Sequence, residues 1–338
     1  SFIDLLLISG GIFFVFIKNY NNLNMKNIYK NSQRNLNKAK KILNKDNIIA
    51  VPTETVYGLA GNAYSNTAIK KIYKLKKRPK TNPLIIHYYD LRGLKNDAYI
   101  DNKFLKLYKK FSPGPLTYIL RKKKNSKISL IANANLKTIA VRFPKNNIIR
   151  KLLQNLQFPL AIPSANISSA VSPVSSYDVL DEFPKKLNFI LDGGSSKIGL
   201  ESTVVNLDGK TQILRPGAIS QNQISKVLKR KISILKTTNK IKSPGQLKKH
   251  YSPGIPIKLN CKKADNKAAF IVFGKKYKNN EKNIFNLSKS GNLEEAARKL
   301  YKTFRKIKNL GFKRINIVKI PNNKIGIAIN DRLRKAAY

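Results

Sequence analysis

Tryptophan is absent from this 338-residue chain, cysteine and methionine occur once each, histidine occurs twice, and 17 acidic side chains face 67 lysines and arginines. One thiol, Cys261, cannot close a disulfide framework or build a zinc knuckle. His87 and His250 lie far apart in sequence, so no Cys-His catalytic pair can be read from it either. That inventory favours a reducing, cytoplasmic compartment. An unbroken long hydrophobic run is missing too. Leu5 to Ile17 is apolar but interrupted by Ser9, Gly10 and Gly11, and falls short of the roughly 20 residues that cross a bilayer. Asp4 stands where a signal peptide would be positive, and no small-x-small cleavage site follows. Residues 1–24 are therefore read as an apolar leader that is not native, with Met25 as initiator and no membrane anchor.

What is present is charge, a net +50. A field of that sign suits phosphates and nucleic acid. Lysine, asparagine and isoleucine rise together while arginine stays scarce, the profile that A/T-rich codons produce, so much of the excess needs no partner to explain it. The length suggests one larger and one smaller domain.

Ile48 to Val51 reads as a buried strand that Pro52 ends, and the polar stretch Thr53, Glu54, Thr55, Tyr57, Gly58 follows it. Hydroxyls, a carboxylate and glycine at a strand end are how open α/β sheets present a ligand site. Spacing predicts helices over Asn31–Leu43, Ala68–Leu75, Phe104–Phe111 and Ser220–Ile232, with a turn at Gly58–Gly61. Strands are expected at Leu84–Ile86, Leu116–Leu120, Thr138–Val141, Leu160–Ile162, Ser202–Leu207 and Ile213–Leu214. Together they describe an α/β fold with one twisted, open mixed sheet over residues 25–234. Residues 235–256 read as a linker, with Ser-Pro-Gly at both ends of S-P-G-Q-L-K-K-H-Y-S-P-G. Residues 257–338 form a smaller Rossmann-like α/β domain that lacks G-x-G-x-x-G. The run G-S-S-K-I-G (Gly194 to Gly199) is not a phosphate loop, because Leu200 stands where the lysine must be.

P-T-E-T-V-Y-G-L, K-K-R-P with N-P-L-I-I-H, S-P-G-P-L-T, A-V-R-F-P, P-S-A-N-I-S and E-S-T-V-V resemble the YrdC family. The two-part chain, with H-Y-S-P between and A-I-N-D-R-L-R-K-A-A at its end, is similar to the long-form threonylcarbamoyl-AMP synthases of that family. It departs in the serine of H-Y-S-P, where alanine is commoner. The resemblance implies that L-threonine, bicarbonate and ATP yield threonylcarbamoyl-adenylate and pyrophosphate. The product would pass to a separate transferase that modifies the adenosine beside the tRNA anticodon.

It also implies a set of site residues. Thr55, His87, Arg142, Ile162 and Ser202 would bind L-threonine. Arg78, Asn82, Thr138, Ser164, Ser172, Arg215 and Tyr251 would bind ATP. Lys76, Arg78 and Arg142 would act in catalysis, and the segment around His250 and Tyr251 would be a lid. Magnesium is expected with ATP, without metal ligands from the protein. Two other readings stay open. A basic α/β module that binds double-stranded RNA or a ribosomal site would need no such set of residues. A carbamoyl transferase of the hydrogenase-maturation kind would need zinc modules that one cysteine cannot supply.

Overall fold

Short polar side chains start most of the helices. Ser32, Ser65, Asp101 and Asn146 each accept a backbone N–H from the first turn that follows, satisfying a donor the helix leaves free. The computed structural model describes residues 27–235, 250–263, 267–277 and 282–337. The expected leader and most of the expected linker lie outside them.

The first domain runs β1 (Ile28–Lys30), α1 (Gln33–Asn44), β2 (Ile49–Val51), β3 (Gly58–Asn62), α2 (Asn66–Lys76), β4 (Ile85–His87), α3 (Leu91–Leu94), α4 (Asn102–Phe111) and β5 (Leu116–Arg121). It continues with β6 (Thr138–Arg142), α5 (Asn147–Gln154), β7 (Leu160–Ala161), α6 (Ser176–Glu182), β8 (Ile190–Asp192), β9 (Thr203–Asn206), β10 (Gln212–Arg215), α7 (Gln221–Leu228) and β11 (Ser233–Ile234). The second holds β12 (Ile257–Lys258), β13 (Ala269–Val272), β14 (Ile284–Asn286), α8 (Leu293–Asn309), β15 (Ile315–Ile317) and α9 (Gly326–Ala336).

Strands of the first domain form one mixed sheet in the order β1-β8-β2-β3-β7-β4-β6-β5-β9-β10-β11. Those of the second form a sheet in the order β12-β15-β13-β14, every pair parallel. There α8 makes the crossover that parallel strands require. An α/β fold with a smaller Rossmann-like unit is thus what the sequence describes.

Two local expectations are overturned. Gly58 to Gly61 is not a turn but most of β3, paired antiparallel with β2. Glycine is needed at 58 for proximity, since a Cβ there would stand 2.2 Å from Ile162 Cγ2. The helix expected to reach Ile232 ends at Leu228, where Lys229 turns left-handed at φ 51°. The residues beyond it pair as β11 with β10.

The two domains share one apolar core. Val56, Val171, Val174 and Leu200 from the first pack with Tyr251 and with residues of α8, α9 and the second sheet. Among the described residues no helix is long and apolar enough to cross a membrane.

Candidate active site

The loop between β2 and β3 is built by its own hydroxyls. Thr53 Oγ1 donates to the Val56 carbonyl at 2.6 Å and accepts the N–H groups of Thr55 and Val56. Its only proton is spent on that carbonyl, so at 2.9 Å the Thr55 hydroxyl is the donor to Thr53. Segment 196–199 braces the loop from outside: Ser196 Oγ, Ile198 N–H and Gly199 N–H donate to the carbonyls of Thr53, Glu54 and Thr55. The phosphate-loop look-alike therefore has a structural use.

Glu54 reaches across to the end of β6. Its Oε1 takes a hydrogen bond from Arg142 Nη2 at 2.7 Å, and Oε2 takes the N–H groups of Lys145 and Asn146. Burial pushes the Glu54 carboxyl up, but Arg142 and the backbone donors outweigh it and bring it below its ordinary value.

Strand register aligns the residues beside this pair. His87 on β4 and Thr117 on β5 are both direct partners of Arg142 on β6, so all three point to one face of the sheet. His87 Nδ1 lies 3.1 Å from the Ile85 carbonyl, which can only accept, so Nδ1 carries the proton and Nε2 is a bare acceptor. Burial and the nearby Arg142 hold the imidazole far below the usual histidine range, hence neutral. Thr117 Oγ1 lies 2.7 Å from Ser202 Oγ, which also accepts from Arg215 Nη2 at 3.1 Å. Arg215 Nε donates to the Ser202 carbonyl. Ser202 thus joins the Arg142 side to the Arg215 side.

On that second side Arg78 donates through Nε to the Asn82 carbonyl and through Nη2 to Asn82 Oδ1 and the Pro83 carbonyl. Burial, with Arg215 as a second cation nearby, lowers it to about 10, still charged at neutral pH. Lys76 is directed at backbone carbonyls. Its Nζ donates to the carbonyls of Ser164 and Asn166 at 2.5 Å each, and burial beside Arg78 holds its pKa well below the ordinary lysine value. Ser164 is half-buried opposite Gly58, and Ser172 Oγ donates to Glu201 Oε1 at 2.6 Å. Ile162, packed against Gly58, donates its N–H to the Ile85 carbonyl that also faces His87. Thr138 lies at the other end of β6 from Arg142, about 13 Å away at the rise of a strand.

Tyr251 is fully buried over this cluster, with a left-handed φ of 62°. Ser252 N–H ties the segment to the Ser169 carbonyl. Among the described residues, buried polar atoms left without a partner include His87 Nε2, Arg142 Nε, Asn82 Nδ2 and Tyr251 OH. Each such orphan costs about 1–3 kcal/mol, so those beside the Arg142 and Arg78 guanidiniums are where ligand atoms would be satisfied best. Glu54 enters this region as the carboxylate expected at the end of the first strand, while Thr117 and Glu201 belong to it without having been singled out by the motifs that contain them. No group of three or more His, Cys, Asp or Glu side chains suited to a metal occurs among the described residues.

Residues 41–217 match the family model for Sua5, YciO and YrdC proteins, described as "Telomere recombination". Residues 219–338 match "Threonylcarbamoyl-AMP synthase, C-terminal domain". The chain belongs to the two-domain Sua5 branch of the YrdC family. A threonylcarbamoyl-AMP synthase of Pyrococcus abyssi is 36% identical over 313 residues, covering 86% of this chain and 90% of that one. A threonylcarbamoyl-AMP synthase of Bacillus subtilis is 33% identical over 322 residues, covering 88% of this chain and 92% of that one. The crystal structure of P. abyssi Sua5 complexed with L-threonine superposes with a TM-score of 0.84 at 32% identity, covering 92% of this chain and 97% of that one.

Proposed function

We propose that the protein condenses L-threonine, bicarbonate and ATP into threonylcarbamoyl-adenylate, with release of pyrophosphate. The observation that carries this reading is the set of unpartnered buried donors and acceptors on two sides of a region joined by Ser202. His87 Nε2 and Arg142 Nε suit an ammonium and a carboxylate. Asn82 Nδ2 and Tyr251 OH, beside Arg78 and Arg215, suit a nucleotide. The relatives named threonylcarbamoyl-AMP synthase support the same chemistry.

In this reading the threonine carboxylate takes the free edge of the Arg142 guanidinium, whose other edge Glu54 already fixes. Thr55, Ile162 and Ser202 complete that subsite, and the neutral His87 accepts a hydrogen bond from the amine at Nε2. Bicarbonate gives CO2 and hydroxide, the ammonium releases one proton to solvent, and the amine captures the CO2 while its second proton joins the hydroxide as water. A carbamate oxygen then attacks the α-phosphorus in line as pyrophosphate leaves. No covalent bond to the protein forms, so the rate comes from positioning and charge. Arg78 and Arg215 supply fixed positive charge for the phosphates. Lys76, held on two carbonyls, shapes the turn that carries Ser164. Ser172, Asn82, Thr138 and Tyr251 line the rest of the nucleotide subsite, with Thr138 at the far end of β6 from the threonine carboxylate.

Magnesium enters with ATP in this reading. The two carboxylates of the region, Glu54 and Glu201, are already engaged by arginines, which fits a metal held by phosphates and water. The product goes to a tRNA threonylcarbamoyl transferase in the cytoplasm, and the lysine-rich surface suits a contact with RNA.

The test is pyrophosphate release by the purified protein with RNA absent. Release that requires both threonine and bicarbonate is expected. Release that ignores threonine, or RNA binding with no release at all, overturns the reading.

A further inference from the structure

Arg332 has no exposed surface, and it comes from the second domain. Its Nε donates to Glu201 Oε2 at 2.8 Å, Nη1 to Asp331 Oδ2 at 2.6 Å and Nη2 to the Glu201 carbonyl at 3.5 Å. The guanidinium also lies 4.9 Å from the centre of the Tyr251 ring. Tyr301 of α8 donates its hydroxyl to the same carboxylate, and its ring stacks near Tyr251 with centroids 6.1 Å apart. We infer that Arg332 is a positioning residue for the nucleotide subsite of the first domain, acting through Glu201 and Tyr251. The inference rests on the proposed function and deepens it.

Three residues assigned to ATP meet this pair. Ser172 donates to Glu201, Arg215 holds the residue after it, and Tyr251 sits between Arg332 and Tyr301. Docking alone does not explain so much buried charge. An apolar contact of the same size would join the domains as well or better, because desolvating two ions costs about what their attraction returns. What the ion pair adds is a fixed proton inventory. An ionised Glu201 only accepts, so the proton of Ser172 points to it and Ser172 meets the ligand as an acceptor, suited to an amino or hydroxyl group of the nucleotide. Burial would raise the Glu201 carboxyl, but Arg332 first and then Arg215 reverse that and lower it to about 2. The other groups facing it are Tyr301 of α8, His250 and Tyr251, with Asp331 behind Arg332.

The experiment compares full-length wild type, Arg332→Met, Arg332→Lys and the double variant Glu201→Gln/Arg332→Met from pH 6.0 to 8.5. Losing the cation should raise the KM for ATP about tenfold or more and leave that for threonine within about threefold. Because the unpaired carboxyl now takes up a proton, the ratio of the Arg332→Met ATP KM to that of wild type should also change with pH. For the double variant that ratio should be independent of pH, and Arg332→Lys should recover part of the affinity. A folded Arg332→Met with the wild-type ATP KM at every pH overturns the inference. So does a uniform loss of kcat with no change in either KM or in pH dependence. Should Arg332→Met not fold, Tyr301→Phe removes one hydrogen bond and no charge; an unchanged ATP KM there overturns the inference, and a rise supports it. Wild type without threonine-dependent pyrophosphate release defeats the proposed function instead. In that case hydrogen exchange at residues 250–255 decides separately, with faster exchange in Arg332→Met expected and equal exchange against the inference.

Discussion

A guanidinium that already holds one carboxylate can still take a second. Arg142 spends Nη2 on Glu54 and leaves Nε buried without a partner, so it is fixed before a ligand arrives. Lysine has three donors on one point but no planar fork to hold two carboxylates on separate nitrogens. Arg142→Lys should therefore raise the KM for L-threonine about tenfold or more while the ATP KM moves little, a loss of one charge-assisted contact. Steady-state pyrophosphate release at varied threonine checks it, and an unchanged threonine KM would put the carboxylate elsewhere. Arg78→Ala removes a contact of about 1.5–3 kcal/mol, which is roughly a tenfold to 150-fold weaker hold on ATP. ATP titration of that variant reads the loss directly.

Residues differ in how far the sequence reveals them. Lys76 is visible on reflection: Ile69, Ile72, Tyr73 and Lys76 share one buried stripe of α2, and a lysine on an apolar stripe needs a reason. Thr117 is not visible as a neighbour of His87 and Arg142, because only the register of β4, β6 and β5 brings them to one face. Glu201 hides for the same cause, since its cation comes from a position more than a hundred residues away.

Among elements, the decisive small piece is the segment before β9. Gly199 has φ +80°, and a Cβ there would stand 2.6 Å from Arg298 Cα and 2.8 Å from the Ala297 carbonyl of α8. Its N–H also holds the Thr55 carbonyl. Gly199→Ala should therefore cost on the order of 1–3 kcal/mol in stability and disturb the threonine loop with it. Thermal unfolding and the threonine KM should worsen together, whereas an unfolding change alone would separate the two. The long periodic helices and buried strands follow from pattern, as α2, α4 and α8 do. Helices α5 and α6, with 8 and 7 residues, offer too few repeats to stand out, and β3 is disguised by its glycines.

At the scale of the whole molecule, both histidines of the chain are buried and neutral. His87 lies far below the ordinary value, and His250, through burial opposed by Glu201, is lowered to about 3. From about pH 6.5 downward the unfolded chain binds protons at both that the folded protein refuses. Stability should fall with pH by up to about 1.4 kcal/mol per unit for each histidine, and be flat from them above neutrality. Carboxylates held down, such as Glu201, keep their contribution in this window. Denaturant melts at pH 7.5, 6.5 and 5.5 measure the slope, and His250→Asn should roughly halve it.

The ion pair between Glu201 and Arg332 also limits how the two domains can be exchanged between relatives. A hybrid that takes its second half from a donor without a cation at the matching place strands a carboxylate at the seam. Such a mismatch is worth about 3–5 kcal/mol, a large share of what keeps any domain folded. A successful graft must therefore carry both members of the pair across together.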